Sequence, residues 1–255
     1  MATPFPNILA ETSLTALQSA ASGSNDALVV VYSKLDTLRN HSQIFPAEIG
    51  ISSVVEGHFA INKEFGTEPA VVHALGAPGQ RLVLAPTEGS GLDDDTDDVR
   101  KIRDAVKGGI SKAIKAGSRN PVLYLPEQPP NDSEDGNGTY ISAEADYSHW
   151  VEVALLSALN TSYVTLVVRE FNDAKNPSTS ANLNEKLDSI TLVVPGVSDR
   201  TLADIVSRTE ALEKGRRLCQ GMCLFSNNLL TSFYDRGRFV LLMWLVSCYP
   251  QNITT

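Results

Sequence analysis

The sequence predicts an α/β fold in which a mixed β-sheet is covered by helices. Short runs rich in β-branched residues, such as Ala27–Ser33 and Ser189–Val194, are typical of buried strands. A helix is indicated between such runs, because Val99, Ile102, Val106, Ile110 and Ala113 follow one apolar stripe. Strands alternating with helices at these lengths produce layered α/β domains.

The sheet is expected to be mixed because two strands follow each other closely. Pro69–Leu75 and Arg81–Ala85 are separated only by a short turn that contains Gly76-Ala-Pro-Gly79. A parallel crossover needs about a dozen residues or more, so this spacing predicts an antiparallel hairpin.

The chain of 255 residues can hold one domain with an appendage. We predict an irregular N-terminal lead over 1–26, an α/β domain over 27–220 and an atypical apolar tail over 221–255. The lead could also contain a short helix around Leu14 and Leu17. No internal repeat is visible in the sequence.

The remaining elements follow from local patterns. Helices are expected at Lys34–Asn40 and Tyr147–Leu159, a helix or loop at Val54–Phe65, a strand at Asn120–Leu125, and a strand or extended connection at Tyr163–Phe171. In the helix that starts near Val99, Gly108-Gly109 indicates close packing or a break, and Gly117 is a good terminator. The segments 127–139 and 172–186 are polar and are interpreted as loops.

The formal charge of −9 argues against nucleic acid or an anionic membrane as the main partner, since both require a basic surface. Cys219, Cys223 and Cys248 all lie late in the chain, so no disulfide framework is expected in the main domain. The first residues lack a secretory hydrophobic segment, and the cytosol is the predicted compartment.

Several candidate sites have a simpler structural interpretation. The acidic run Asp93–Asp98 could bind a hard cation, although a solvated helix start is favoured. The histidines at 41, 58, 73 and 149 show no metal-ligand spacing, and His73 is interpreted as a core residue. Cys219 and Cys223 are expected to be free thiols. Gly76–Gly79 and Gly89–Gly91 could hold a phosphate, but ordinary turns are favoured because neither matches a phosphate-binding fingerprint.

The end of the α/β segment resembles a known family. The Ser189 strand, the Pro195-Gly196 turn and a helix ending Arg208-Thr-Glu-Ala-Leu-Glu-Lys-Gly-Arg-Arg-Leu-Cys219 are similar to the end of the N-terminal domain of leucine (cytosol) aminopeptidases. The resemblance implies a macro-domain-like mixed sheet that contributes to oligomer assembly. It also implies that full-length relatives remove N-terminal residues from peptides with two divalent metals, zinc or manganese.

The family's catalytic motif, Asn-Thr-Asp-Ala-Glu-Gly-Arg, does not occur in this sequence. No catalytic, cofactor-binding or metal-binding residue is therefore transferred to this chain, and no cofactor is expected on it. We predict a non-catalytic domain of a truncated or spliced metallopeptidase, inactive alone, that assembles with itself or with full-length subunits. The alternative hypothesis is a macro-like module that binds a nucleotide or ADP-ribose around Gly76–Gly79.

The tail does not continue the family pattern. Phe239–Tyr249 is mostly apolar but shorter than the roughly 20 residues that span a membrane. Gly221-Met-Cys can be encoded with a splice-donor sequence, so we interpret the tail as possible intron read-through. A helix or strand packed on the main domain is the alternative.

Overall fold

The fold is a six-stranded sheet with helices on both faces, within the residues that the structure describes. The computed structural model describes residues 5–13, 24–33, 51–62, 65–87, 99–126, 147, 149–165, 168 and 185–234. The predicted helix 34–40, the acidic run 93–98, the polar loop 127–139, most of 172–186 and the apolar run 239–249 lie outside these residues.

The described elements follow one another as a lead strand and then alternating strands and helices. They are β1 Asn7–Glu11, β2 Ala27–Tyr32, α1 Ile51–Ile61, β3 Ala70–His73, a 3₁₀ turn Pro78–Gln80, β4 Arg81–Pro86, α2 Val99–Lys115, β5 Pro121–Tyr124, α3 Trp150–Ser162, β6 Ser189–Val193 and α4 Asp199–Tyr234.

The strands are arranged in the order β1-β6-β5-β2-β4-β3. All neighbouring pairs are parallel except β3 and β4, which form the predicted antiparallel hairpin with Val71 opposite Val83. The predicted mixed sheet is therefore confirmed. Strand β2 lies in the middle, and all six of its residues are buried.

Each face of the sheet has its own apolar core. Alternate residues of β2, such as Val29 and Val31, pack with α2, α3 and the first turns of α4. The intervening residues, such as Leu28 and Val30, pack with Val55 of α1 and with residues from the segment 65–77. The period of two along a strand produces this division, since successive side chains point to opposite faces.

The lead 1–26 requires a correction, because Asn7–Glu11 forms an edge strand parallel to β6. The local pattern was too weak to predict it. Only Ile8 is buried in this strand, and the pairing partner Ser189–Val193 lies far along the chain. Long-range pairing therefore decided its structure. The positions predicted for a short helix, Leu14 and Leu17, are outside the described residues.

The chain divides into two compact units, Met1–Glu213 and Lys214–Thr255. The first unit contains the sheet, both apolar cores and helices α1 to α3. Helix α4 begins in the first unit and ends in the second at Tyr234. The boundaries proposed from sequence at 26 and 220 stay predictions.

Candidate functional site

The carboxyl ends of β2, β4 and β5 meet at one edge of the sheet and form a narrow crevice. We call it the carboxyl-edge crevice, lined by Val31, Tyr32, Ser33, Thr87, Ile102, Leu125 and Trp150. Strands β2 and β5 are neighbours in the sheet. The strand that follows β2 in the chain, β3, lies on the β4 side, whereas the strand that follows β5, β6, lies on the opposite side. Connections that diverge in this way mark the position where open α/β sheets bind ligands.

Thr87 contributes a buried hydroxyl group to the lining of this crevice. It follows β4 directly and is 2% exposed, and its backbone N–H donates to Tyr32 O at 3.0 Å. Its hydroxyl is buried and has no hydrogen-bond partner among the described residues. A buried hydroxyl without a partner is costly, so this atom is suited to a polar group in the crevice.

The space in the crevice is small. Between the described residues the free volume is about 10 Å³, which is enough for one water-sized group. A larger ligand would therefore require the lining side chains to move.

Two tyrosines lie near the same ends of the sheet and are not suited to act as bases. Burial raises the pKa of Tyr32 and of Tyr124 well above the usual value of a phenol. The Tyr32 hydroxyl donates to Gly66 O at 3.4 Å. Both phenols are thus neutral at physiological pH.

A second and larger concavity lies between α3 and α4, with a volume of about 130 Å³. We call it the α3–α4 pocket. It shares Trp150 with the carboxyl-edge crevice and is lined by His149, Trp150, Val151, Glu152, Val197, Thr201, Ile205 and Arg208. The pocket combines an apolar wall with three ionisable side chains.

Glu152 contacts both of the other ionisable side chains of this pocket. Its side chain is only 13% exposed, whereas those of His149 and Arg208 are 62% and 57% exposed. Glu152 Oε2 lies 3.2 Å from His149 Nδ1 and 3.5 Å from Arg208 Nη2. His149 occupies the N-cap position of α3 without a side-chain cap, and its ring contacts Glu152.

The opposite, amino-terminal edge of the sheet is organised by Asp26. Its carboxylate accepts hydrogen bonds from the Ser118 hydroxyl, from Arg119 N at 2.7 Å and from Asn120 N at 3.1 Å. Its backbone carbonyl accepts from Arg81 Nη1 at 3.2 Å. We call this network the Asp26 clamp. It ties the start of β2 to the starts of β4 and β5.

Gly76–Gly79 lies at this amino-terminal edge, because the turn immediately precedes β4. Gly79 has φ of 56°, and a Cβ added there would lie 2.2 Å from Asp26 O. The glycine is therefore required by close packing of the turn. This packing agrees with the ordinary turn that the sequence favoured. The alternative nucleotide position around Gly76–Gly79 stays a prediction, and it lies at the edge opposite to the carboxyl edge at which α/β sheets usually bind ligands.

A surface ion pair lies beside the Asp26 clamp. Arg119 donates from Nε and Nη2 to the two carboxylate oxygens of Asp188, at 2.7 and 2.6 Å. This bidentate contact lowers the pKa of Asp188 and raises that of Arg119. The pair connects the residues that lead into β5 and β6.

The other predicted candidates have structural contacts or lie outside the described residues. His58 stacks on Phe65 with ring centroids 5.2 Å apart. The core placement of His73 is wrong: it is exposed, with Nε2 3.1 Å from Gln80 Oε1, because β3 is an edge strand. Cys219 is a free, exposed thiol as predicted. His41, Gly89–Gly91, Asp93–Asp98 and Cys248 are outside the described residues.

Sequence reasoning missed Thr87, Glu152 and Arg208 as site residues. Thr87 carries a usable signal, since it is the first polar residue after a buried strand. Glu152 and Arg208 carry none, because their proximity depends on the packing of α3 against α4.

The residues that the structure describes contain no group of three or more His, Cys, Asp or Glu side chains placed to hold a metal ion. Among the described helices, none has the length and apolar character needed to cross a membrane.

Comparison with known proteins supports the resemblance stated above. No protein-family model matches the chain. A Caenorhabditis elegans protein named as a putative aminopeptidase is 28% identical over 218 residues, which cover 83% of this chain and 35% of that protein. The chain thus spans about a third of the length of this relative. Similarity to an aminopeptidase is confirmed in sequence over most of the chain.

Two solved structures are similar in outline. A tomato leucine aminopeptidase variant has 13% identity and a TM-score of 0.48, covering 84% of this chain and 37% of its own. The macrodomain of Mycobacterium tuberculosis DarG has 12% identity and a TM-score of 0.39, covering 75% of this chain and 99% of its own.

Proposed function

We propose that this chain is the N-terminal, non-catalytic domain of a leucyl-aminopeptidase-like metallopeptidase and that its role is structural. One observation carries the proposal: the chain matches the nematode relative over 83% of its own length but only 35% of the relative's. In this proposal the metal-dependent chemistry belongs to the part of such proteins that the match does not include.

The arrangement of the described residues supports a scaffold role. The sheet is covered on both faces, and the Asp26 clamp connects the starts of three strands by hydrogen bonds. A rigid domain of this kind can present surfaces to other subunits. Assembly with itself or with full-length subunits, and a cytosolic location, stay predictions.

A peptidase assay tests the catalytic part of the proposal. The purified full chain is incubated with leucyl-p-nitroanilide and added Mn²⁺ or Zn²⁺, and its metal content is measured after dialysis. We expect no turnover above the protein-free control and no stoichiometric metal. Turnover that scales with protein concentration, or two tightly held divalent ions per chain, would contradict the proposal.

The assembly part has its own measurement. Light scattering during size-exclusion chromatography gives the mass of the species in solution, alone and mixed with a full-length aminopeptidase-type relative. We expect a mass above that of one chain in at least one of these samples. The mass of a single chain in both samples would contradict the proposed role in subunit contacts.

A second candidate function is binding of a nucleotide or ADP-ribose, and the buried Thr87 hydroxyl favours it. This hydroxyl lies at the carboxyl edge, where α/β sheets bind such ligands. Under this candidate, ADP-ribose raises the melting temperature of the full chain, and the near-isosteric Thr87→Val reduces that rise. No rise at millimolar ADP-ribose would exclude it.

A further inference from the structure

The α3–α4 pocket has the chemistry of a small zwitterion site, and we propose that it binds a free apolar α-amino acid. In this site Glu152 accepts the ligand's ammonium group, Arg208 donates to its carboxylate, and the apolar wall contacts its side chain. The inference does not depend on the proposed scaffold role, since it is argued only from the side chains that line this pocket.

The charges are arranged for a ligand that carries both signs. Glu152 and Arg208 face each other with 3.5 Å between Oε2 and Nη2, which is longer than the roughly 2.7–2.9 Å of a close charge-assisted hydrogen bond. The Arg208 side chain is 57% exposed and retains further N–H donors. The ammonium and carboxylate groups of an α-amino acid are separated by one carbon, so they can pair with both side chains at once.

Because Glu152 is more buried than Arg208, its electrostatic contacts with a ligand are expected to be the stronger ones. Its carboxylate is largely removed from solvent, where an electrostatic contact is less screened than at the surface. The partners it has, His149 at 3.2 Å and Arg208 at 3.5 Å, are both mostly exposed and able to adjust. An ammonium group would thus meet a carboxylate that is already positioned.

The size and lining of the pocket limit the ligand class. The volume of about 130 Å³ is well below the roughly 300–1,000 Å³ of sites for drug-sized molecules, which disfavours a nucleotide or a long peptide. Trp150, Val197 and Ile205 provide the apolar wall. A side chain such as that of leucine is the kind of group that this wall would remove from water.

The experiment uses the full chain and L-leucine as the probe. Binding is followed by two-dimensional NMR through the Trp150 indole N–H, assigned by its loss in Trp150→Phe. We expect a saturable shift of this signal with L-leucine. N-acetyl-L-leucine lacks the ammonium group, L-leucinamide lacks the carboxylate and glycine lacks the side chain. Each should bind about 10-fold or more weakly, the loss expected when a charged hydrogen bond or an apolar contact is removed.

Two variants separate a ligand site from an ion pair that only links α3 to α4. Glu152→Gln and Arg208→Gln should each weaken L-leucine binding about 10-fold or more, while Glu56→Gln on α1 and Lys115→Gln on α2, both exposed and outside the pocket lining, should leave it unchanged. Arg208→Lys keeps the charge and provides a second test if Arg208→Gln does not fold.

Three results would overturn the inference. The first is no shift of the Trp150 signal at tens of millimolar L-leucine. The second is equal binding of L-leucine and N-acetyl-L-leucine. The third is binding that survives in both folded pocket variants. None of these results would bear on the scaffold proposal, which is tested by turnover, metal content and assembly.

Discussion

Asp26 shows how one side chain can determine the position of several strands. It stands immediately before β2, and its two carboxylate oxygens accept three hydrogen bonds from Ser118, Arg119 and Asn120. These donors precede β5, the strand that pairs with β2 from Ala27 onward. The carboxylate thus aligns the beginning of two neighbouring central strands.

Asp26→Asn is expected to destabilise the fold while preserving side-chain size. The new amide group places N–H donors where the carboxylate accepted from backbone N–H groups, so at least one part-buried donor loses its partner. We expect a loss of about 1–3 kcal/mol in the free energy of unfolding, measured by urea denaturation. The exposed Asp204→Asn is the control and should change stability by less than about 0.5 kcal/mol. Equal values for the two variants would contradict the role assigned to Asp26.

The Asp188–Arg119 pair predicts a pH dependence with a defined sign. Its hydrogen bonds hold the pKa of Asp188 below its ordinary value of 3.8. The folded state therefore binds this proton less readily than the unfolded state. The stabilisation is complete above about pH 5 and is lost as the pH falls through the lower folded pKa.

Asp188→Asn should remove this dependence. Because Asp188 and Arg119 are 56% and 39% exposed, we expect the pair to contribute below about 1 kcal/mol at neutral pH. Urea denaturation of the unchanged chain and of Asp188→Asn, from pH 7 to pH 3, measures this contribution. The difference in unfolding free energy should be constant from pH 7 to pH 5 and shrink below pH 4. A difference that grows on acidification would refute the sign.

At the scale of elements, α2 shows how tightly a helix packs on the sheet. Gly108 and Gly109 lie inside this helix, which continues through them to Lys115. A Cβ at Gly109 would lie 2.8 Å from Val29 Cγ1 and 2.9 Å from Ala85 Cβ. Of the two expectations for this pair, close packing is confirmed and a break is not found.

Gly109→Ala and Gly57→Ala are a matched pair with opposite expected signs. Alanine favours a helix over glycine by about 1 kcal/mol, and a Cβ at Gly57 in α1 meets nothing within 4 Å. Gly57→Ala should therefore raise the free energy of unfolding by about 0.5–1 kcal/mol. At Gly109 the clash with two rigid core side chains should reverse the sign and cost about 1–3 kcal/mol. Thermal or urea unfolding measures both, and stabilisation at Gly109 would show that the helix can move away from the sheet.

The end of α2 also follows from local rules. Gly117 adopts φ of 88°, and Ser118 N donates to Ala113 O at 3.0 Å. This pattern closes the helix with a glycine in the left-handed region, as predicted from sequence. At the start of α4, the Ser198 hydroxyl accepts from Thr201 N at 3.2 Å and thereby caps the helix.

At the scale of the whole molecule, the sheet order predicts a gradient of local stability. β2 is central, hydrogen-bonded on both sides and covered on both faces, whereas β1 and β3 are the two outer strands of the described sheet. Hydrogen exchange should therefore be slowest for β2, β4 and β5 and fastest for β1 and β3. Exchange in β1 as slow as in β2 would indicate that another segment covers that edge.

The sequence predicted the elements whose signal is local. The strands at 27–33, 81–85, 120–125 and 189–194 and the helix from Val99 were all expected from short-range patterns, and the structure confirms them. The β3–β4 hairpin was predicted from the short distance in sequence between its two strands. The strand Asn7–Glu11 was not predicted and His73 was wrongly placed in the core, because both lie on edge strands whose exposure depends on position in the sheet.

The candidate site was predicted less well than the fold. Histidines, cysteines and glycine turns were singled out because they are chemically conspicuous, yet the described pockets depend on Thr87, Glu152 and Arg208. The carboxyl and amino edges of a sheet cannot be distinguished until the strand order is known. This is why Gly76–Gly79 was an acceptable candidate in sequence and is an ordinary turn in the structure.

By itself, the sequence determined the α/β class, the mixed sheet, the helix ends and the similarity to aminopeptidases, because each depends on local periodicity or on residue identity. Tertiary structure alone decided that β1 joins β6, that Asp26 connects three strand starts and that Glu152 meets Arg208. These contacts join residues far apart in the chain. Their energies are set by burial and distance in space, which no pattern of neighbouring residues encodes.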